Sequence, residues 1–169
     1  MDSKTDIQAD DIFDRSEIDT VIYHHPCTDG FGAAFTVWNY FQNKESRSED
    51  INIEFIPAGY GSTKPELVGK NVLIVDYSYP ADIMSEIIQE ANSVLIIDHH
   101  QTAQKALSSI DPQYCIFDMN HSGAILSWRF MSGLYSFSKK EGWIFNKDSD
   151  LEPPLLLRYI EDRDLWIAD

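Results

Sequence analysis

Short runs of apolar and β-branched residues recur along the chain, and each run ends at a polar, glycine or proline residue. Such brief and nearly continuous apolar runs are typical of strands buried on both faces, as in parallel sheets. We therefore predict five strands, which are Thr20–Tyr23, Ile51–Ile56, Asn71–Val75, Ser93–Ile97 and Tyr114–Phe117.

Between these runs the apolar residues take the spacing of helices with one buried face. Ile83, Ile87 and Ala91, for example, recur at helical intervals after Pro80. The predicted helices are Phe31–Phe41, Ala81–Ala91, Thr102–Ser109, Gly123–Met131 with Ser122 as N-cap, and Leu155–Ile160. Alternation of strands and helices predicts an α/β fold, namely a doubly wound, mostly parallel five-stranded sheet with helices on both faces.

Two stretches do not fit this alternation. Residues 1–18 are acidic and weakly periodic, and we interpret them as an N-terminal arm that is either mobile or a short outer helix. Tyr135–Leu151 is charged and contains Gly, Asn and Asp, which indicates a loop or insertion. The chain of 169 residues is long enough for one domain, which we expect to span residues 19–169.

Residues of the types that bind metal ions follow three of the predicted strands. His24-His25 follows the first strand, Asp76 the third, and Asp98-His99-His100 the fourth. The carboxyl ends of parallel strands line one crevice, so these side chains should converge. Four of the five histidines belong to these two pairs, a grouping that favours ligation over scattered core positions. Imidazoles bind divalent metals, and a carboxylate can bridge two of them.

Two other segments supply further candidates. The tight turn before Phe31 places Asp29 near a helix N-terminus, where a negative charge is favourable. Near the end of the chain, Asp162-Arg163-Asp164 is either an exposed, salt-bridged helix end or the source of one more metal ligand. Arg163 would then orient a carboxylate or contact a phosphate. The sequence favours Asp162 as the ligand because it directly follows the last predicted helix, with Asp164 as the alternative.

The net charge is −15, which limits the partners of the chain. Such a field repels polyanions, so binding of duplex nucleic acid is not expected. The charge either is only that of a soluble acidic surface or suits a cation site, through which a phosphate substrate would then be bound. No apolar run approaches the ~20 residues that span a bilayer, and the two cysteines do not make a disulfide framework. We therefore expect no membrane association and a reducing, cytoplasmic location.

These segments resemble, in order, the motifs of the DHH phosphoesterase superfamily, over residues 20–166. The resemblance rests on Cys27-Thr28-Asp29-Gly30, Asp76, the literal Asp98-His99-His100, Asp118-x-x-x-Ser122-Gly123-Ala124 and Asp162-Arg163-Asp164. The amino-acid sequence around Cys27 is most similar to the branch of oligoribonucleases and cyclic-nucleotide phosphodiesterases.

The resemblance implies a Rossmann-like catalytic domain that binds two divalent ions. The commonest ion is Mn²⁺, with Mg²⁺, Zn²⁺ or Fe²⁺ as alternatives. It also implies hydrolysis of phosphodiester bonds in short oligonucleotides or nucleotides by a metal-activated hydroxide.

The same resemblance assigns a role to each candidate residue. His24 and Asp76 would hold one ion, and Asp29, Asp76, His99 and Asp162 would hold the other, so that Asp76 bridges the two. Asp98 would orient the site from behind the ligands. His100 would face the substrate phosphate.

The chain departs from the family pattern in two respects. Cys27 stands where an aspartate is expected, and either His24 or His25 could be the nearby ligand. The Cys27 thiolate would shift the metal preference toward zinc or iron, or the cysteine is a buried bystander. The usual C-terminal substrate-binding domain is absent after Asp169, which implies a truncated chain, a homodimer or partner domain, or a loss of catalysis. The alternatives are therefore a non-catalytic binding or scaffold protein, or a small-phosphate hydrolase of the pyrophosphatase type.

Overall fold

A computed structural model describes residues 7–43 and 52–166. The strands are β1 (Ile7–Gln8), β2 (Thr20–His24), β3 (Glu54–Ala58), β4 (Asn71–Val75), β5 (Ser93–Asp98), β6 (Cys115–Phe117), β7 (Tyr135–Ser138) and β8 (Gly142–Phe145). The helices are α1 (Ala9–Ile12), α2 (Thr28–Gln42), α3 (Ala81–Glu90), α4 (Gln101–Ala106), α5 (Gly123–Met131) and α6 (Leu155–Asp164).

The central sheet has five parallel strands in the order β3-β2-β4-β5-β6. The predicted α/β fold and its parallel sheet are therefore confirmed. The strand predicted at Ile51–Ile56 corresponds to β3. Ile51 lies outside the described residues, and β3 begins at Glu54.

Side chains of the central strands alternate between two hydrophobic layers. Leu73 and Val75 of β4 face a cluster that includes α2 and α5, whereas Val72 and Ile74 face the cluster beneath α3. All four are fully buried. Burial of both faces explains why these strands read as continuous apolar runs rather than as alternating ones.

Of the two interpretations of Tyr135–Leu151, a loop or an insertion, the loop is wrong for residues 135–145. These residues form a hairpin of β7 and β8, and β1 pairs with β7 to complete a small antiparallel sheet. Tyr135 and Phe137 are buried while the serines between and after them are less so. This period of two is typical of a strand with one buried face. The Phe137 and Phe130 rings pack against Trp143.

The described part of the predicted N-terminal arm packs against the domain. It contains β1 and α1, and the side chains of Phe13 and Ile18 are buried in the cluster shared with α5. Arg15 donates hydrogen bonds to the Asp10 carboxylate and to the carbonyl oxygens of Phe130 and Met131 at the end of α5. Across residues 7–43 and 52–166, no helix combines the length and apolar character needed to cross a membrane.

Candidate metal centre

Asp76 directly follows β4 at the carboxyl edge of the sheet. Its φ of 56° lies in the left-handed region, which is uncommon for a residue other than glycine. Backbone strain of this kind concentrates at functional sites. The Asp76 carboxylate also lies against the backbone of Gly123, where an added Cβ would be only 2.6 Å from the Asp76 Cβ. Glycine at the start of α5 therefore allows the aspartate to fit there.

Asp29 lies in the first turn of α2 and is 1% exposed. Its two carboxylate oxygens accept hydrogen bonds from the backbone N–H groups of Gly123, at 2.6 Å, and Ala124, at 2.8 Å. These groups belong to the N-terminus of α5, which has free N–H donors and attracts anions. Asp29 thus fixes α5 relative to α2 and faces the same space as Asp76.

The His99 ring brings three carboxylates together. Its Nε2 lies 3.1 Å from Asp76 Oδ1, 3.4 Å from Asp29 Oδ2 and 3.6 Å from Asp164 Oδ2. The four residues come from α2, the end of β4, the end of β5 and α6. As expected, strand ends that are distant in sequence meet at one edge of the sheet.

The geometry favours Asp164 over Asp162, which the sequence preferred. The last helix was predicted to end at Ile160, but α6 continues to Asp164. Leu157, Ile160 and Asp164 are spaced at three and four residues, so they share the helix face that packs on the domain. Asp162 lies on the exposed face instead. Arg163 is exposed too and lines a separate surface pocket with Asp162.

A second group of ligand atoms lies beside the first and shares Asp76 with it. His24 Nδ1 is 3.4 Å from Asp76 Oδ2. One ligand atom each from His24, Cys27 and Asp76 lies within 4.8 Å of the others. His25, the alternative ligand, is exposed and belongs to none of the ligand groups found among the described residues.

Asp98 holds the segment that carries the histidines. One of its oxygens accepts from the His99 and His100 backbone N–H groups and lies 2.6 Å from His100 Nδ1. Its other oxygen accepts a hydrogen bond from Ser78 Oγ at 2.7 Å. Asp98 is therefore fully engaged in hydrogen bonds and suits the orienting role expected for it. The His100 ring is fixed through Nδ1 and lines a pocket of about 180 Å³.

The pKa values in this cluster reflect burial and mutual charge. Burial raises the pKa of Asp29 to about 7, and the Asp76 carboxylate adds to the rise. Burial acts in the same direction on Asp76, but the His24 and His99 imidazoles outweigh it and lower the pKa of Asp76 to about 2. Burial lowers the pKa of His99, yet Asp76 and the two other nearby carboxylates outweigh it and raise the pKa to about 9. Three carboxylates facing one imidazole carry an excess of negative charge, which a cation would balance.

The residues present fit a centre for two divalent ions. Both Asp76 oxygens and His24 Nδ1 are buried without a hydrogen-bond partner, and such atoms are rare unless they have another role. The ligand groups are His24, Cys27 and Asp76; Asp76, His99 and His100; and Asp29, His99 and Asp164. Since Asp76 belongs to two groups and its oxygens point to different imidazoles, it is placed as a bridging ligand would be.

Sequence reasoning missed two contributors to this centre. Ser78 supports Asp98 and stands only two residues after Asp76, so its position after the strand end was a usable signal. Glu161 accepts a hydrogen bond from the backbone N–H of Ser122 at 2.8 Å and contacts the His121 ring. It therefore joins α6 to the start of α5. No local pattern in the sequence indicated that contact.

The fold and the site together define an α/β domain with a candidate two-ion centre at the carboxyl edge of its sheet. Residues 19–155 match the profile of the DHH family, N-terminal domain. The match covers most of the chain, and the chain belongs to the DHH family. Proteins of this family are, as a class, phosphoesterases that use divalent metal ions.

The chain is also similar to two longer proteins. An uncharacterised protein of Acanthamoeba polyphaga mimivirus is 31% identical over 170 residues, which cover 96% of this chain and 37% of that protein. The crystal structure of an uncharacterised protein from Helicobacter pylori superposes with a TM-score of 0.56 at 15% identity, over 88% of this chain and 43% of that one. The structural likeness supports the fold, and the chain spans less than half the length of either relative.

Proposed function

We propose that this chain is the catalytic domain of a metal-dependent phosphodiesterase that acts on short oligonucleotides or nucleotides. The observation that carries the proposal is the convergence of Asp29, Asp76, His99 and Asp164, with Asp76 shared by a second ligand group. Ligands from four separate elements meeting at the strand ends would be hard to explain by packing alone. The homodimer or partner domain that would complete the substrate contacts, and the cytoplasmic location, remain predictions.

The ligands divide naturally into two sets. Asp29, Asp76, His99 and Asp164 would hold one ion, and His24, Cys27 and Asp76 the other. Two divalent ions in such a centre neutralise the charge of a phosphoryl group and supply a nucleophile at neutral pH. The oxygen-rich first set suits Mn²⁺ or Mg²⁺.

His100 is proposed to bind the substrate phosphate. Its Nδ1 is hydrogen-bonded to Asp98, which holds the ring in one orientation. The other ring nitrogen, Nε2, would then be available to a phosphate in the pocket. Ser78 holds the same aspartate from the other side. These contacts would hold the His100 imidazole in the same position before and after the phosphate binds.

The pocket beside His100 is small. Its volume of about 180 Å³ suits a phosphoryl group better than a whole nucleotide. Tyr60 also lines this pocket, and its ring is fully exposed. An exposed aromatic ring beside a phosphate site can stack on a nucleobase. This arrangement supports a nucleotide substrate whose phosphate enters the pocket while its base stays outside.

The proposal is tested by incubating the chain with Mn²⁺ and a 5′-phosphorylated dinucleotide and following mononucleotide release by chromatography. Hydrolysis should stop with EDTA and return with added Mn²⁺. Because ligands stabilise the state they bind, Mn²⁺ at a hundredfold its Kd should also raise the free energy of unfolding by about 2.7 kcal/mol per site. Metal stabilisation without turnover would instead identify a non-catalytic relative. No binding and no turnover would refute both.

Tyr60→Ala is expected to raise KM for the dinucleotide by about 5- to 150-fold, because loss of one base–aromatic stack costs about 1–3 kcal/mol. The value of kcat should change little, because stacking on the base holds the substrate equally in the ground state and in the transition state. Tyr60→Phe keeps the ring and should behave like the wild type. The measurement is steady-state kinetics with dinucleotide and with pyrophosphate, which has no base. An equal rise in KM for both substrates would contradict stacking.

The small pocket also favours a second candidate, a hydrolase of small phosphates such as pyrophosphate. A substrate of that size would fit the 180 Å³ space without contacts beyond it. The net charge of −15 agrees with a small anion held through metal ions. A kcat/KM for pyrophosphate above that for the dinucleotide would select this function.

A further inference from the structure

Cys27 lies at the entrance to α2 beside the candidate centre. It is the N-cap residue of that helix, and its side chain makes no capping hydrogen bond. Serine, threonine, aspartate and asparagine are the residues preferred at this position. Cysteine is not among them, so helix capping alone does not account for this residue.

The neighbours of Cys27 supply an explanation. Its sulfur lies within 4.8 Å of one ligand atom each from His24 and Asp76. Asp76 is 1% exposed, and its Oδ2 lies 3.4 Å from His24 Nδ1, yet neither atom forms a hydrogen bond with good geometry. Buried polar atoms without partners, aimed at a shared space, indicate that something outside the protein satisfies them. Nitrogen, oxygen and sulfur ligands together match the chemistry of Zn²⁺ or Fe²⁺ more closely than that of Mn²⁺.

We propose that Cys27 binds a metal ion as a thiolate, together with His24 and Asp76, and makes this half of the centre selective for Zn²⁺ or Fe²⁺ over Mn²⁺. The inference rests on the proposed function, because it names the metal class of one half of that site. On binding, the sulfur–metal bond forms and the thiol proton passes to solvent. The other half, with Asp29, His99 and Asp164, keeps its preference for Mn²⁺, so the centre holds two different ions.

Cys115 offers a comparison within the same chain. It lies in β6, and burial raises the pKa of its thiol to about 12. It lines a pocket on another part of the domain with Leu107 and Trp143. Cys115 belongs to none of the metal-ligand groups among residues 7–43 and 52–166. It is therefore a matched control for Cys27.

The experiment is a titration of the metal-free chain with Co²⁺, which replaces Zn²⁺ and reports a bound thiolate through a sulfur-to-cobalt charge-transfer band in the near ultraviolet. The band should appear in the wild type and in Cys115→Ser, and it should be absent in Cys27→Ser. Serine is a preferred N-cap residue, so Cys27→Ser should fold. Cys27→Asp should bind metal without the band and should reduce the Zn²⁺-over-Mn²⁺ preference about tenfold or more in competition titrations.

Each outcome bears on the inference separately from the proposed function. A band that depends on Cys27 supports the thiolate site even if no phosphodiester is hydrolysed. Hydrolysis by a wild-type chain that shows no band would keep the proposed function and overturn the thiolate site. A band that persists in Cys27→Ser and disappears in Cys115→Ser would overturn it as well, as would an unchanged metal preference in Cys27→Asp.

Discussion

Asp76→Asn is expected to lower kcat/KM for the dinucleotide by about a thousandfold or more, which corresponds to about 4 kcal/mol of transition-state stabilisation. Asp76 lies near both His24 and His99, at 3.4 and 3.1 Å. An amide cannot bridge two cations as a carboxylate does, so both half-sites should weaken together. The measurements are steady-state kinetics with Mn²⁺ and metal titration by calorimetry.

The variant is chosen so that folding does not confuse the result. Asparagine has nearly the size of aspartate and adopts the left-handed backbone conformation that Asp76 requires. Circular dichroism and thermal unfolding of the metal-free variant should show a cooperative fold like that of the wild type. A folded Asp76→Asn chain that retains hydrolysis would contradict a bridging role for this residue.

Asp164→Asn and Asp162→Asn form a matched pair with unequal expected effects. Asp164→Asn should lower kcat/KM by about a hundredfold, or about 2.7 kcal/mol, because its carboxylate faces His99 at 3.6 Å. It should also weaken Mn²⁺ binding. Asp162→Asn should stay within about twofold of the wild type, since Asp162 lies on the exposed face of α6.

The two variants remove the same charge from neighbouring positions in one helix, so they share any effect on net charge or helix stability. Only the direction of the side chain differs between them. Kinetics and calorimetry on both proteins under identical conditions therefore isolate that direction. If Asp162→Asn proves the more damaging change, the ligand is Asp162, as the sequence preferred.

Much of the fold was predictable from the sequence because its signal is local. Strands buried on both faces, such as β4 and β5, need apolar side chains on both sides, and each shows four consecutive apolar residues, Val72–Val75 and Val94–Ile97. The small antiparallel sheet was missed because its strands are buried on one face only and therefore lack a continuous apolar run. In β7 only alternate residues are buried, and the serines between them resemble a loop when read one by one.

The candidate centre was also only partly predictable from the sequence. The strand ends supplied Asp76, Asp98 and the two histidine pairs, because an open parallel sheet brings such residues to one edge whatever its loops do. The choice between His24 and His25 depends on the direction in which each ring points. Successive side chains of an extended chain point in opposite directions, so only one of the two can face the site. The choice between Asp162 and Asp164 needed the true end of α6, four residues beyond its apolar pattern.

The sequence by itself determined the doubly wound sheet, the edge at which its candidate metal ligands collect and the presence of a thiol beside them. Only the tertiary structure decided how the helices close over that edge: Gly123 makes room for Asp76, Glu161 ties α6 to the start of α5, and Asp164 faces His99. The physical reason is the separation along the chain of the residues that interact. Strand patterns depend on neighbours along the chain, whereas these contacts join residues about 40 or more positions apart and depend on packing.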